Sequence, residues 1–477
     1  MTYSELERIS TDVLIIGGGM AGLSATIAVS NSKARCVVVE KSDRLGGSSR
    51  LSAGMFWAPK DVDIAHQTIP FADPQLLAQF LADYPKAVEW MRQNDIKTHD
   101  QFNGIMTIGI GFPIDVPQWL AKAESIITSS PSTQLLTETS AVRLIQKPLE
   151  APGARVAGAI LRRNNGFMVH CSARAILIAT GGFQGSPKLV STHIGLGADN
   201  IFVRSNPYST GDGFKLGSQA GAGTSRGLST FYGHLLPSPL QRRDVDPSHF
   251  IHLAQFQSGY SVLVNRDGRR FCDETFGDEV NNQELARQPG HIGYMILNDD
   301  VRKCWALGEV FPNAGKIDRL EKAKEFGGRV TSADTVEELL ERIAQWGVPE
   351  VALKKTVSEY NQAVKNTATQ AIDAPVGRNH APHPVLEGAA GGPFWALEVQ
   401  PSITFTYGGL KIDTSARVED SDGRPVPGLY ACGMDAGGFS NWRYGGGLAQ
   451  AFVTGQWAGQ AAVKELEGAT KSSQPKL

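Results

Sequence analysis

Gly17, Gly19 and Gly22 stand in GxGxxG spacing, and Glu40 ends the next apolar run. Residues of these types at this spacing can hold a dinucleotide. Gly17 permits a sharp turn, Gly19 lets the backbone approach a pyrophosphate, and Gly22 allows a helix to pack closely on a strand. The helix N-terminus then aims N–H groups at phosphate oxygens, and Glu40 can accept from a ribose hydroxyl. The elements that must position these residues are legible on either side. 'DVLIIG' is an apolar, β-branched run suited to a buried parallel strand. 'MAGLSATIAVSNS' has the small and apolar residues of a helix packed on a sheet, and 'CVVVE' reads as a second buried strand. A lone GxGxxG is weak; strand, glycines, helix, strand and acid in that order are specific.

The next loop, 'KSDRLGGSSRLSAGMFWAP', separates the possible dinucleotides. Gly46, Gly47, Ser48 and Ser49 come directly after the acid-bearing strand. NAD domains have no need of such a loop, whereas FAD enzymes use one beside the pyrophosphate and the ribityl chain. FAD is therefore the expected cofactor. No second complete GxGxxG unit follows, so no separate NAD(P)H domain is expected.

The bulk properties agree with an enzyme of this kind. At 477 residues the chain is too long for one ordinary core, and about two domains are expected. Composition is that of a soluble globular protein, 41% hydrophobic and 20% charged, with a formal net charge of −2. That balance argues against nucleic-acid binding, which calls for a basic face. Cys36, Cys171, Cys272, Cys304 and Cys432 are scattered and form no CxxC, so no metal site is expected. Free buried thiols fit a reducing compartment, and a cytoplasmic location is the default. No apolar run approaches the ~20 residues of a membrane span. 'MTYSELERIS' has acids and no apolar h-region, so no secretory signal is expected.

Six stretches in order carry a family resemblance: 'IIGGGMAGLSA', 'VVVEKSDRLGGSS', 'ILIATGGFQG', 'STGDGFKLGSQAGAG', 'VLVNRDGRRFCDE', and 'TYGGLKIDTSARV' continuing through 'PVPGLYACGMDAGG' into 'NWRYGGGLAQAFVTG'. Together they resemble the FAD-dependent fumarate reductase, succinate dehydrogenase flavoprotein and 3-ketosteroid dehydrogenase family, with wording near the C-terminus similar to tricarballylate dehydrogenases. The resemblance implies an α/β fold, a Rossmann-like FAD-binding domain interrupted by an α+β capping domain that closes over substrate. The expected boundaries are 1–235 and 391–465 for the two parts of the FAD-binding domain, 236–390 for the cap, and 466–477 for a polar tail. Ser332 or Asp334 is expected to cap a charged helix of the cap. The expected cofactor set is Gly17, Gly19, Met20, Ala21, Gly22, Glu40, Lys41, Gly46, Gly47, Ser48, Ser49, Ala53, Gly54, Val142, Ala179, Thr180, Gly181, Asp212, Asp435, Gly447, Leu448 and Ala449. Asp435 has a turn role as its alternative. Gly445 to Gly447 are expected to open the last helix under the flavin, with Asn441 to Tyr444 facing substrate. No histidine lies in 'GGSSRLSAG', where respiratory relatives attach FAD covalently, so the flavin is expected to be noncovalent.

The resemblance implies hydride transfer at flavin N5, coupled to proton transfer at the neighbouring carbon of a C–C bond conjugated to a carbonyl or carboxylate. Fumarate reductases carry a proton-donating arginine where this chain has Asp278, and ketosteroid dehydrogenases carry a tyrosine there. Asp278 is thus the expected proton carrier, with Glu274 and Glu279 as rivals and a loop ion pair as the structural alternative. His234 matches a substrate-binding histidine, or is a satisfied interior one. Tyr407 beside two glycines can donate to a carbonyl, or only pack. Arg443 is the counterpart of an arginine that clamps a substrate carboxylate. Neither well-known catalytic set is complete. The expected partners are a small conjugated substrate and an electron partner the sequence does not name. An oxidase or hydroxylase using O2, and a flavin-binding electron-transfer protein, stay open as alternatives.

Overall fold

The computed structural model describes residues 7–102, 108–148, 153–241, 244–309, 315–366, 386–387 and 392–472. A six-stranded sheet forms its centre, in the order Arg417–Glu419, Pro425–Ala431, Ala175–Ile178, Val13–Ile16, Cys36–Val39 and Thr133–Leu136. All neighbours run parallel except the first two, which form a hairpin across Asp420–Arg424. Val13, Leu14 and Ile15 are fully buried, as continuous β-branched and leucine runs demand in a sheet covered on both faces.

The Met20–Ser30 helix crosses one face of this sheet, with Met20 to Val29 all buried. It is apolar around its whole circumference because it is covered on every side. The long Leu448–Ser472 helix lies against it. Glycines set their spacing: a Cβ at Gly455 would fall 2.3 Å from the Ala21 oxygen, and one at Gly459 would fall 2.6 Å from the Ala25 oxygen. Ser24 Oγ donates to the Phe452 carbonyl at 2.7 Å within the same contact. A separate four-stranded sheet, Glu7–Ser10, Met168–Ser172, Arg155–Arg163 and Thr139–Lys147, flanks the domain.

The cap is built on antiparallel strands. Phe394–Gln400 pairs with Gly293–Asn298, Leu236–Pro237 and Val330–Ala333, and Gly293–Asn298 pairs in turn with Val262–Asn265. Phe394–Gln400 therefore belongs to the cap sheet, although a boundary at 391 assigns it to the FAD-binding domain. Its alternation of packed faces cannot reveal which sheet it joins. The Val336–Ala344 helix is capped by Thr335, whose hydroxyl accepts from Glu338 N–H at 3.3 Å; Ser332 is spent in the preceding strand. The last helix runs through Ser472, past the expected start of the tail at 466, and begins at Leu448 rather than at Gly445. Residues 473–477 lie outside the described residues. No helix among the described residues is long and apolar enough to cross a membrane.

Candidate active site

A cavity of about 640 Å³ opens where the two helix N-termini, the cap and the strand ends of the central sheet meet. Gly19, Met20 and Ala21 line it from one helix, and Gly447 and Leu448 from the other. Gly19 is the N-cap of its helix and carries no side-chain cap, and no acid stands in the first turn. A Cβ at Gly19 would meet nothing within 4 Å, so the backbone there is open to the cavity. Uncapped N–H groups on an open glycine face are a ready anion site. The observed cradle therefore fits a pyrophosphate.

The other expected cofactor residues divide into three groups. Ser48, Ser49, Ala53, Ala179 and Gly181 also line this cavity. Gly17, Glu40, Lys41, Thr180 and Asp212 line a smaller neighbouring recess of about 40 Å³, with Thr139, Ser140 and Ala141. Val142 and Ala449 line neither, and Gly22, Gly46, Gly47, Gly54 and Asp435 act behind the walls. A Cβ at Gly22 would fall 1.9 Å from the Gly17 oxygen, so this position holds helix to strand. Gly46 N–H donates to the Gly18 carbonyl at 2.8 Å, drawing the Gly46–Ser49 loop against the motif. Gly54 lies at φ +88°, with a would-be Cβ 2.2 Å from the Ile114 oxygen. Glu40 accepts from Gly18 N–H and from Ser42 N–H, each at 2.8 Å. Lys41 pairs with Asp212 at 2.7 Å.

Asp435 is buried and accepts from Gly181 N–H at 2.9 Å and from Thr180 Oγ at 3.1 Å. Burial lifts its carboxyl pKa to about 7 against the pull of those donors. Through these bonds it supports the Thr180–Gly181 turn.

The chemistry-bearing side chains gather at the cap end of the cavity. His234 lines the wall and is only 3% exposed. Its Nδ1 makes a short hydrogen bond to Asp278 Oδ2. Asp278 Oδ1 accepts from Leu235 N–H at 3.2 Å. Asp278 itself is buried behind the ring and is absent from the wall. Burial, then the positive charge of Arg204, hold the His234 pKa below its ordinary value, opposed by Asp278. The edges of Tyr232 and Phe256 flank the imidazole at 5.0 and 4.8 Å.

Arg443 and Tyr407 are both buried away from the wall. Arg443 Nε donates to Glu279 Oε1 at 3.1 Å in a buried ion pair. The Tyr407 hydroxyl has no hydrogen-bond partner among the described residues. Of the Asn441–Tyr444 group, Tyr444 is the one on the wall. Its ring stacks on Tyr232 at 4.4 Å, with Phe405 beside both. Burial raises the phenol pKa values of Tyr232 and Tyr444, so both stay protonated as donors. Glu274, a rival proton carrier, is engaged by Arg270 Nε at 2.9 Å and by Leu263 N–H at 3.0 Å.

Sequence reading missed Arg204, Tyr232 and Thr404 on this wall. Tyr232 lies two residues before His234 on an extended segment, a period-two signal that was available. Arg204 carried no motif signal.

Comparison with known proteins fits this geometry. The family model described as an FAD binding domain matches residues 12–107 and 120–449. The chain is 27% identical over 489 residues to an NADH:fumarate oxidoreductase of Klebsiella pneumoniae, covering 96% of this chain and 48% of that protein. It thus spans about half the length of that relative. It is 25% identical to a vinyl phenol reductase of Lactiplantibacillus plantarum, covering 95% of this chain and 97% of the relative. It is 26% identical to a urocanate reductase of Eggerthella lenta, covering 89% and 70%. Among solved structures, the open flavocytochrome c3 fumarate reductase matches with a TM-score of 0.68 at 22% identity, covering 96% of this chain and 78% of that one. The 3-ketosteroid Δ1-dehydrogenase of Sterolibacterium denitrificans matches at 0.73 and 19%, covering 95% and 100%. These structures share the fold. With its glycine cradle in place and most of its length matched, the chain belongs to the FAD-binding domain family, and its cofactor is FAD.

Proposed function

We propose that this protein is an FAD-dependent oxidoreductase that reduces or introduces a C–C double bond conjugated to a carbonyl or carboxylate. The observation that carries the reading is His234, backed by Asp278, on the wall of the cavity that the two helix N-termini also line. FAD, when bound, exchanges a hydride with one substrate carbon. The protein must then handle the proton at the adjacent carbon and the charge on the conjugated oxygen. Asp278 occupies Nδ1 of His234, which leaves Nε2 to give or take that proton. In reduction His234 would give a proton to the α-carbon as the π pair moves toward the conjugated oxygen; in dehydrogenation it would take that proton back. Asp278 positions the ring and steadies its protonated form. The protonated phenols of Tyr232 and Tyr444 stand where they can donate to the oxygen.

The relatives' names support this class: fumarate, vinyl phenol and urocanate reductases are among them. The flavin is held noncovalently in this reading, since residues 46–54 contain no histidine. All five cysteines are free thiols, which suits a cytoplasmic location. Single-turnover oxidation of the reduced flavoprotein by conjugated alkenes tests the proton carrier. His234→Gln should slow it by about 100-fold or more at intact FAD content. Equal rates in the variant and the parent would remove His234 from that role.

A further inference from the structure

We propose that Arg204 is the anion-binding residue of the substrate cavity, set to hold one carboxylate of a planar, unsaturated substrate. The inference rests on the reaction class above and adds the charge and shape of what is bound. Arg204 lines the cavity and is 9% exposed. Its backbone is fixed by the Phe202–Val203 strand, which pairs with Ser402–Ile403, and its N–H donates to the Ile403 carbonyl at 2.8 Å. The guanidinium is aimed by two neutral acceptors: Nε donates to the Phe250 carbonyl at 3.4 Å, and Nη1 to Thr404 Oγ at 3.2 Å. Nη2 makes no hydrogen bond to the described residues, and the group forms no ion pair among them.

A buried cation without a counter-ion is costly unless a ligand supplies the charge. The acid whose charge acts on Arg204 is Asp278, and both of its oxygens are already engaged, by His234 and by Leu235 N–H. Arg443, by contrast, is neutralised by Glu279. Arg319 is also buried with no ion pair among the described residues, but it lies off the cavity wall and donates to the Ala254 and Ala306 carbonyls. Arg50, the other arginine on the wall, is spent on the Leu45 carbonyl at 2.9 Å. Arg204 is therefore the described arginine of the wall that lies in electrostatic reach of His234 with donor capacity to spare.

Tyr232, Tyr444, Phe405 and Phe250 line the same cavity, together with the polar Ser205, Ser248 and Thr404 and the acid Asp246. The aromatic rings fit a flat hydrocarbon body better than a second charge. A carboxylate in the guanidinium fork would place the conjugated bond next to His234. The same positive charge would meet the electrons that move onto the carboxylate oxygens as the bond is reduced.

The test uses the flavin-loaded protein and two isosteric probes, cinnamate and cinnamamide, followed by perturbation of the flavin absorbance. The parent protein should bind cinnamate at least about tenfold more tightly than cinnamamide. Arg204→Gln should bring the two affinities together by weakening cinnamate alone, and Arg204→Lys should restore part of the preference. The proposal is overturned if the parent shows no carboxylate preference. It is equally overturned if Arg204→Gln keeps the preference, or if that variant weakens both probes alike with loss of FAD or of thermal stability. The reaction class is tested separately: if reduced parent enzyme is oxidised by cinnamamide while the Arg204 result is negative, the reaction stands and this site does not.

Discussion

His234 faces the cavity because Asp278 holds its far side, and the direction of its titration follows from its surroundings. Burial disfavours the imidazolium, Arg204 adds repulsion, and Asp278 only partly offsets them. The folded pKa thus lies below the ordinary value of about 6.5. A depressed pKa means the folded state binds fewer protons than the unfolded chain, so this group's contribution is present above pH ~6.5 and is lost as pH falls through the folded value. For dehydrogenation, which needs the neutral ring, the acid limb of kcat/KM should lie below pH 6.5. Arg204→Gln removes the repelling charge and should move that limb upward; a limb that stays put would detach the two residues. Arg443 makes a contrasting prediction. It is half of a buried ion pair, so Arg443→Met should cost about 3–5 kcal/mol in urea unfolding by stranding Glu279. It should leave the cinnamate preference intact, whereas a direct carboxylate clamp would lose that preference.

At the scale of elements, the glycine motif was readable because its meaning is local. Gly17, Gly19 and Gly22 act through a turn and a helix start within a few residues, so spacing alone conveys the geometry. Gly22→Ala should therefore drive the Met20–Ser30 helix off its strand, since the added carbon would sit 1.9 Å from the Gly17 oxygen. The purified variant should contain far less FAD than the parent, by its absorbance ratio; full FAD occupancy would show that the helix can shift without loss. Helix ends were less legible. Thr335, Ser332 and Asp334 are all competent caps, and the strand that ends at Ala333 decides among them. Arg204 was illegible for a stronger reason. 'IFVRSNPYS' has no spacing that marks its arginine, and burial comes from pairing with Ser402–Ile403, far away in sequence. Asp278 was found by position, but its place behind His234 depends on the Asp278–Leu285 helix docking against the segment at 234–235.

Across the whole molecule, the central six-stranded sheet draws its strands from 13–178 and 417–431, and the antiparallel cap sheet draws its strands from 236–400. Order along the sequence puts the strand, glycine and hairpin signals of the central sheet at both ends. It did not show where the cap sheet stops, since Phe394–Gln400 satisfies either domain until its partners are known. The cap is bound to the cofactor domain beside the cavity. Asn282 exchanges two hydrogen bonds with the Ser402 backbone, at 2.9 and 2.8 Å, and Gln283 donates to the Trp442 carbonyl at 2.6 Å. These contacts hold the cap beside the cavity whose wall carries His234, Arg204, Tyr232, Tyr444 and Leu448. Addition or removal of two hydrogens across a conjugated C–C bond is measured directly by anaerobic titration of the fully reduced flavoprotein with conjugated enones and enoates, with product analysis by mass. At least one such alkene should reoxidise the flavin, with one equivalent of product two hydrogens heavier per flavin. Flavin that reoxidises only when air is admitted, with no saturated product from any alkene, would contradict it.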